Sequence, residues 1–163
     1  MIEEIKNRLK GKVAILLIGN ELKGDDGAGP ALARDLEGKI NAAVIDCGEV
    51  PESYTGKIKE LKPDTIVIVD AVDMGAKPGS ICLIEKDKLL ETKLFTTHNV
   101  PLKIFTDYLF SEIKADIFVV GVQPKELGLG RPISKEVSAT IDYLKQILIE
   151  SLGSPSALRY TPL

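Results

Sequence analysis

The sequence has a single histidine, only two cysteines and no excess of basic charge: 21 Lys and Arg stand against 24 Asp and Glu, a formal net charge of -3. That balance argues against a general nucleic-acid binder, which carries a basic face. Cys47 and Cys82 show no metal-type spacing, and each lies in an apolar, strand-like run, so both read as buried free thiols. No apolar run comes near the roughly 20 residues of a membrane helix. The longest are Val13 to Gly19 and Thr65 to Val69. No signal peptide is recognisable, and with so little cysteine the expected compartment is the cytoplasm. Internal repeats, low-complexity tracts and internal linkers are also missing.

What remains is the pattern of one α/β domain. A chain of 163 residues buries roughly two-thirds of its unfolded surface, enough for a full core. Val13 to Ile18 is a continuous apolar run, as a strand covered on both faces requires. Gly27 to Leu36 reads as a helix, with Pro30 in its first turn and Gly38 past its end. Ala42 to Cys47, Thr65 to Asp70, Ser80 to Glu85 and Ile117 to Val122 read as further strands. Helices are expected from Pro51, from Pro101 to Leu109, and after Ser134, which caps a run of Val137, Ile141, Leu144 and Leu148. The alternation implies a mainly parallel sheet with helices on both faces. The link from Ala71 to Ser80 is too short for a parallel crossover, so the fourth strand is expected to run antiparallel. The core is expected over about residues 12–152, after a small amphipathic lead-in and before a frayed tail over about 153–163. The loop from Gln123 to Ile133 is a candidate cover for a site.

Three motifs carry chemistry. The first strand runs into Gly19-Asn20-Glu21-Leu22-Lys23-Gly24-Asp25-Asp26-Gly27-Ala28-Gly29-Pro30. A glycine-rich turn at this place usually cradles phosphate, but Asp25 and Asp26 occupy the anion's position and repel it. The loop therefore offers carboxylates. One of them, with Asp25 the candidate, serves as a helix N-cap, and the glycines Gly24, Gly27 and Gly29 let a partner's backbone come close. Asp70 ends the third strand, where open α/β sheets bind ligands, and Asp73 looks like the turn residue that follows. His98 lies at a strand-to-helix junction in Thr96-Thr97-His98-Asn99-Val100-Pro101, flanked by hydroxyls able to orient its ring. Two carboxylates and an imidazole leave open positions on a metal such as zinc or nickel, and without a thiolate a closed structural site is not indicated. Asp26, Asp70 and His98 are expected near the surface at the sheet's end, away from the core.

These stretches, with Ile68-Val69-Asp70-Ala71-Val72-Asp73-Met74-Gly75 and the weaker Gly121-Val122-Gln123-Pro124, resemble in order the hydrogenase maturation proteases. Those endopeptidases trim the C-terminus of the large subunit of nickel-iron hydrogenases. The likeness is greatest to the branch serving formate-hydrogen-lyase-type complexes. The resemblance implies a three-layer α/β/α sandwich of the phosphorylase/hydrolase-like kind, with a five-stranded mixed sheet in the order 2-1-3-5-4 and strand 4 antiparallel. It places the catalytic and metal-contacting positions on Asp26, Asp70 and His98, and substrate contacts on Gly24, Asp25, Gly27, Gly29 and Thr97. It implies as substrate a large-subunit precursor already loaded with nickel. The nickel is presented by the substrate, and zinc or cadmium is able to take the same site. The enzyme is expected to be a monomer with no nucleic-acid or membrane partner. Two mechanisms stay open: an aspartic pair sharing one proton, or nickel acting as a Lewis acid on the scissile carbonyl or activating a water. Two other functions stay open as well: a chaperone-like module that senses the nickel site without cutting, and a small metal-dependent amidohydrolase.

Overall fold

The apolar run Val13–Ile18 forms β1, and every one of its residues is buried, as both faces of a central strand require. The computed structural model, which describes residues 1–91, 95–96 and 102–154, places β1 between β2 (Ala43–Gly48) and β3 (Thr65–Asp73), parallel to both. On the far side of β3 lies β6 (Asp116–Val122), again parallel, with Asp70 in register with Gly121. β4 (Ile81–Ile84) closes the sheet antiparallel to β6. The segment 74–80 between β3 and β4 is too short to cross over and return in parallel, so β4 reverses. The order β2-β1-β3-β6-β4 is the expected five-strand order once β5 (Phe95–Thr96) is counted. This two-residue strand pairs antiparallel with Val72 and Asp73, and no periodicity in so short a segment could signal it.

Alternation along the strands separates two cores. Ile15, Leu17, Val67, Val69, Phe118 and Val120 face the helices α1 (Ile2–Arg8), α2 (Ala28–Leu36) and α6 (Lys135–Leu152). Leu16, Ile18, Ile66, Ile68, Ile117 and Val119 face α3 (Thr55–Leu61), α4 (Lys86–Glu91) and α5 (Leu102–Glu112). Each fully buried aliphatic side chain contributes about 1.5–3 kcal/mol, so the two faces together hold the three layers. The α6 cap forms as its sequence indicates: the Val137 amide donates to Ser134 Oγ at 3.3 Å.

One boundary differs from expectation. The core starts at α1, not near residue 12. Ile5 and Leu9 belong to the core cluster, Arg8 Nε donates to Asp116 Oδ2 at 2.8 Å, and its guanidinium lies 4.1 Å from the Phe118 ring centre. A helix spacing of apolar residues was visible in this segment, but the partner for its charged face, Asp116, comes from the distant end of the chain. The tail residues 155–163 lie outside the described residues.

The two thiols are structural. Cys47 is buried, and burial pushes its thiol up to about 12. Cys82 is partly buried, and burial raises its thiol too. A thiol so raised is not nucleophilic near neutrality. Iodoacetamide at pH 8 is therefore expected to modify Cys47 only after denaturation, which mass spectrometry of native and urea-treated protein will check.

Candidate active site

β1 and β3 lie side by side, yet the chain continues from β1 to β2 on one side of the sheet and from β3 towards β6 on the other. Such a reversal opens a crevice beyond the carboxyl ends of the two strands, which is where α/β sheets bind ligands. Asp70 stands near the end of β3, on the same face as Ile68 and Val72. Asp26 lies in a 3-10 turn, Gly24–Gly27, that follows β1 and packs against β3. Two carboxylates thus lie at the same end of the sheet, one on β3 and one in the turn that follows its neighbour β1.

Gly19 makes this turn possible. Its φ is +147°, and a Cβ there would lie 1.9 Å from the Asp26 carbonyl oxygen. The chain therefore folds back directly after β1, and the Asn20 amide donates to Asp26 Oδ2 at 2.9 Å. Around this turn a polar network extends outward. Asn20 Nδ2 donates to Glu49 Oε2 at 3.0 Å, and Lys23 Nζ donates to Glu49 Oε1 at 2.8 Å. The hydrogen bond to Glu49 raises the pKa of Lys23, with a smaller contribution from Asp26. Beside it runs a groove of about 480 Å³ lined by Gly19, Asn20, Glu21, Asp46 and Glu49 among others.

Both acids are deeper than expected: Asp26 is 0% exposed and Asp70 1%. They belong to the molecule's interior at the sheet's end and not to its surface. The reason is local. Asp70 projects into the α3–α5 side of the sheet, and Asp26 is drawn under its own turn by the Asn20 amide. Burial thins the water that would screen the two charges, so their pull on a cation is stronger than at a surface. His98 and Thr97 lie outside the described residues. Among the described residues, no group of three His, Cys, Asp or Glu is placed to hold a metal ion.

Comparison with known proteins agrees with this fold. A family model described as HycI, hydrogenase maturation protease, matches residues 29–151. The hydrogenase 3 maturation protease of Escherichia coli K12 is 40% identical over 136 residues, 82% of this chain and 86% of that one. The chain belongs to the hydrogenase maturation protease family. The crystal structure of a [NiFe] hydrogenase maturation protease HycI from Thermococcus kodakarensis KOD1 superposes with a TM-score of 0.83 at 32% identity, covering 91% of this chain and 98% of that one. The solution structure of an endopeptidase HycI from Escherichia coli superposes with a TM-score of 0.77 at 36% identity, covering 89% of this chain and 96% of that one. Like these relatives, this family member is a hydrolase of the endopeptidase type.

In this protease Asp25 is not the cap of the helix it precedes. Gly27 occupies the N-cap of α2, and no side chain caps it. Asp25 instead turns the other way, fully buried, and accepts four hydrogen bonds from the far end of the chain. Its Oδ2 takes the amides of Lys125 at 2.7 Å and Glu126 at 2.9 Å and the Ser134 hydroxyl at 3.0 Å; its Oδ1 takes the Ser134 amide at 2.6 Å. The candidate cover, residues 123–133, is thereby strapped to the turn that carries Asp26. Asp25→Ala strands four donors in the interior and is expected to cost about 3 kcal/mol or more of stability. Asp25→Asn, which the capping role would have made harmless, is also expected to destabilise, because its amide sets an N–H against an N–H donor. Urea denaturation of both variants gives the measurement.

The glycines of the turn also face inward. A Cβ on Gly24 would lie 2.3 Å from the Glu126 carbonyl oxygen, one on Gly29 2.2 Å from the Ile18 carbonyl oxygen, and one on Gly27 3.1 Å from the Glu21 Cα. Gly24, Asp25, Gly27 and Gly29 are all buried. Their small size lets the chain approach itself, and so they shape the turn. Residues that the motifs did not single out do more at the rim. Asn20 and Glu49 flank Asp26, and Glu49 could have been noticed as the first acid beyond the end of β2. Gln123 receives the amides of Met74 at 2.7 Å and Ala76 at 3.2 Å on its Oε1, and its Nε2 donates to Asp73 Oδ1 at 3.1 Å. It fixes the loop that leaves the Asp70 strand. Asp73 is the turn residue it resembled, taking the Gly75 amide at 3.1 Å.

Proposed function

We propose that this protease removes the C-terminal extension of the nickel-loaded large-subunit precursor of a nickel-iron hydrogenase, and so completes that subunit's maturation. The observation that carries the reading is the pair of buried carboxylates in a chain of this family, Asp70 near the end of β3 and Asp26 in the turn that follows the neighbouring β1. Carboxylate oxygens suit a divalent cation, and two of them leave positions to be filled from elsewhere. His98 is the proposed third donor, and the substrate supplies the ion with its remaining ligands. A nickel ion held by Asp26, Asp70 and His98 would supply Lewis acidity towards the scissile carbonyl. The chain's own part is to hold the two carboxylates in place: Asn20 orients Asp26, and Gln123 orders the loop after Asp70. The groove along Asn20 and Glu49 takes the extended segment to be cut.

The enzyme acts as a monomer in the cytoplasm, on a protein substrate and without nucleic acid or membrane. No described helix is long and apolar enough to cross a membrane. The deciding experiment mixes purified protein with nickel-loaded precursor and reads the precursor's mass. A precursor shortened at its C-terminus supports the endopeptidase. A stable complex without cleavage supports a nickel-sensing module, and the lack of both supports an amidohydrolase acting on some other substrate.

A further inference from the structure

Large hydrophobic side chains are not exposed at random on this protein. Of the eight that stand exposed among the described residues, Leu22, Val50, Leu127 and Leu129 occupy loops beyond the carboxyl ends of β1, β2 and β6. One exposed leucine needs no explanation; a group of them around a cleft does. Leu22 is 62% exposed and Leu129 77%. They are neighbours, because the Gly130 amide donates to the Leu22 carbonyl at 2.7 Å and the Gly24 amide to the Arg131 carbonyl at 3.1 Å. The Asp25 carboxylate clamps the base of the same loop. The leucines therefore project from two backbones that are hydrogen-bonded to each other. Such a platform loses little freedom when it is covered, which favours binding over a mobile loop of the same composition.

We infer that Leu22, Leu127 and Leu129 form a docking patch for the folded body of the protein substrate, next to the cleft that receives its cut segment. The inference rests on the endopeptidase reading above. Continuity selects the occupant: the loop bearing Leu129 is bonded to the very turn that carries Asp26, so a polypeptide bringing a peptide bond to Asp26 passes over the patch. Affinity for the precursor then comes largely from these leucines, and turnover from the acids.

The test is the double variant Leu22→Glu with Leu129→Glu, compared with wild type and with Tyr143→Glu, an exposed aromatic on α6. Both leucines are exposed and their backbone bonds survive substitution, so thermal unfolding is expected to stay unchanged. With nickel-loaded precursor, KM is expected to rise about tenfold or more, with kcat within about twofold and Tyr143→Glu like wild type. An unchanged KM in the double variant, with wild type active, overturns the docking patch and leaves the endopeptidase reading standing. A wild-type enzyme that leaves the precursor intact overturns both. Sedimentation supplies the last outcome: if wild type is a dimer that the double variant splits, the patch is an interface between copies of this chain, and the inference is wrong.

Discussion

Asp70→Asn is expected to reduce processing of the nickel-loaded precursor by on the order of 10²–10³-fold, with the fold intact. Asn matches the carboxylate in shape and keeps one acceptor oxygen, but it removes the negative charge that a cation needs. Asp70 is buried beside a sheet whose neighbouring positions on the same face are Ile68 and Val72, so the packing around it is unaltered by an isosteric change. Asp26→Asn is expected to behave in the same way, since the Asn20 amide still finds an oxygen at that position. His98→Ala is the third member of the set. The measurement is the rate of precursor shortening, paired with thermal unfolding of each variant. Normal processing by Asp70→Asn with unchanged unfolding would remove Asp70 from the site. The contrast with Asp25 is informative, because the two adjacent acids are expected to fail differently: Asp25 variants lose stability first, Asp26 variants lose activity first.

Precursor without nickel is expected to stay uncut even at high enzyme concentration. The proposed donors are two carboxylates and a histidine, and none of them is a cysteine, serine or lysine able to serve as a nucleophile. They are poorly equipped to attack an amide unaided and well equipped to grip a cation. Where the ion arrives with the substrate, that grip is lost until nickel has been loaded. A differential affinity of about 4 kcal/mol gives roughly a thousandfold discrimination, and two carboxylates shielded from water are a reasonable source for it. Matched precursor samples with and without nickel, mixed with the same enzyme, provide the comparison. Equal cleavage of both would end the gating idea and favour an aspartic pair formed by Asp26 and Asp70. Cleavage restored by zinc keeps a role for the metal and removes selectivity for nickel.

Much of this was legible along the chain. The all-apolar β1, the short link after β3 and the Ser134 cap each follow from local rules, and the antiparallel β4 follows from the length of segment 74–80 alone. The candidate site's first stretch was also marked, because two acids in a glycine-rich turn repel phosphate. What local rules misjudged was direction. Asp25 and Asp26 are adjacent and chemically alike, yet one takes the amides of Lys125, Glu126 and Ser134, a hundred or so residues on, and the other takes the amide of Asn20 in its own turn. Nothing in a two-residue window distinguishes them; the difference is made by which segment the turn packs against.

The same division holds for the glycines and for α1. Composition marked Gly24, Gly27 and Gly29 as places of close approach, and only the fold shows that a Cβ there would meet the backbone of Glu126, Glu21 and Ile18. Periodicity showed α1 to be amphipathic, whereas its place in the core depends on Arg8 meeting Asp116 and Phe118. The sequence by itself therefore determined the fold class and the strand order's antiparallel exception, and it marked the candidate site, because these depend on local periodicity, loop length and residue chemistry. Only the tertiary structure decided that Asp26 and Asp70 are buried, that Asp25 is a strap, that Asn20 links Asp26 to Glu49, and that Gln123 ties down the loop after β3. Those outcomes depend on contacts between segments far apart in the chain, whose geometry exists only once the sheet has brought them together.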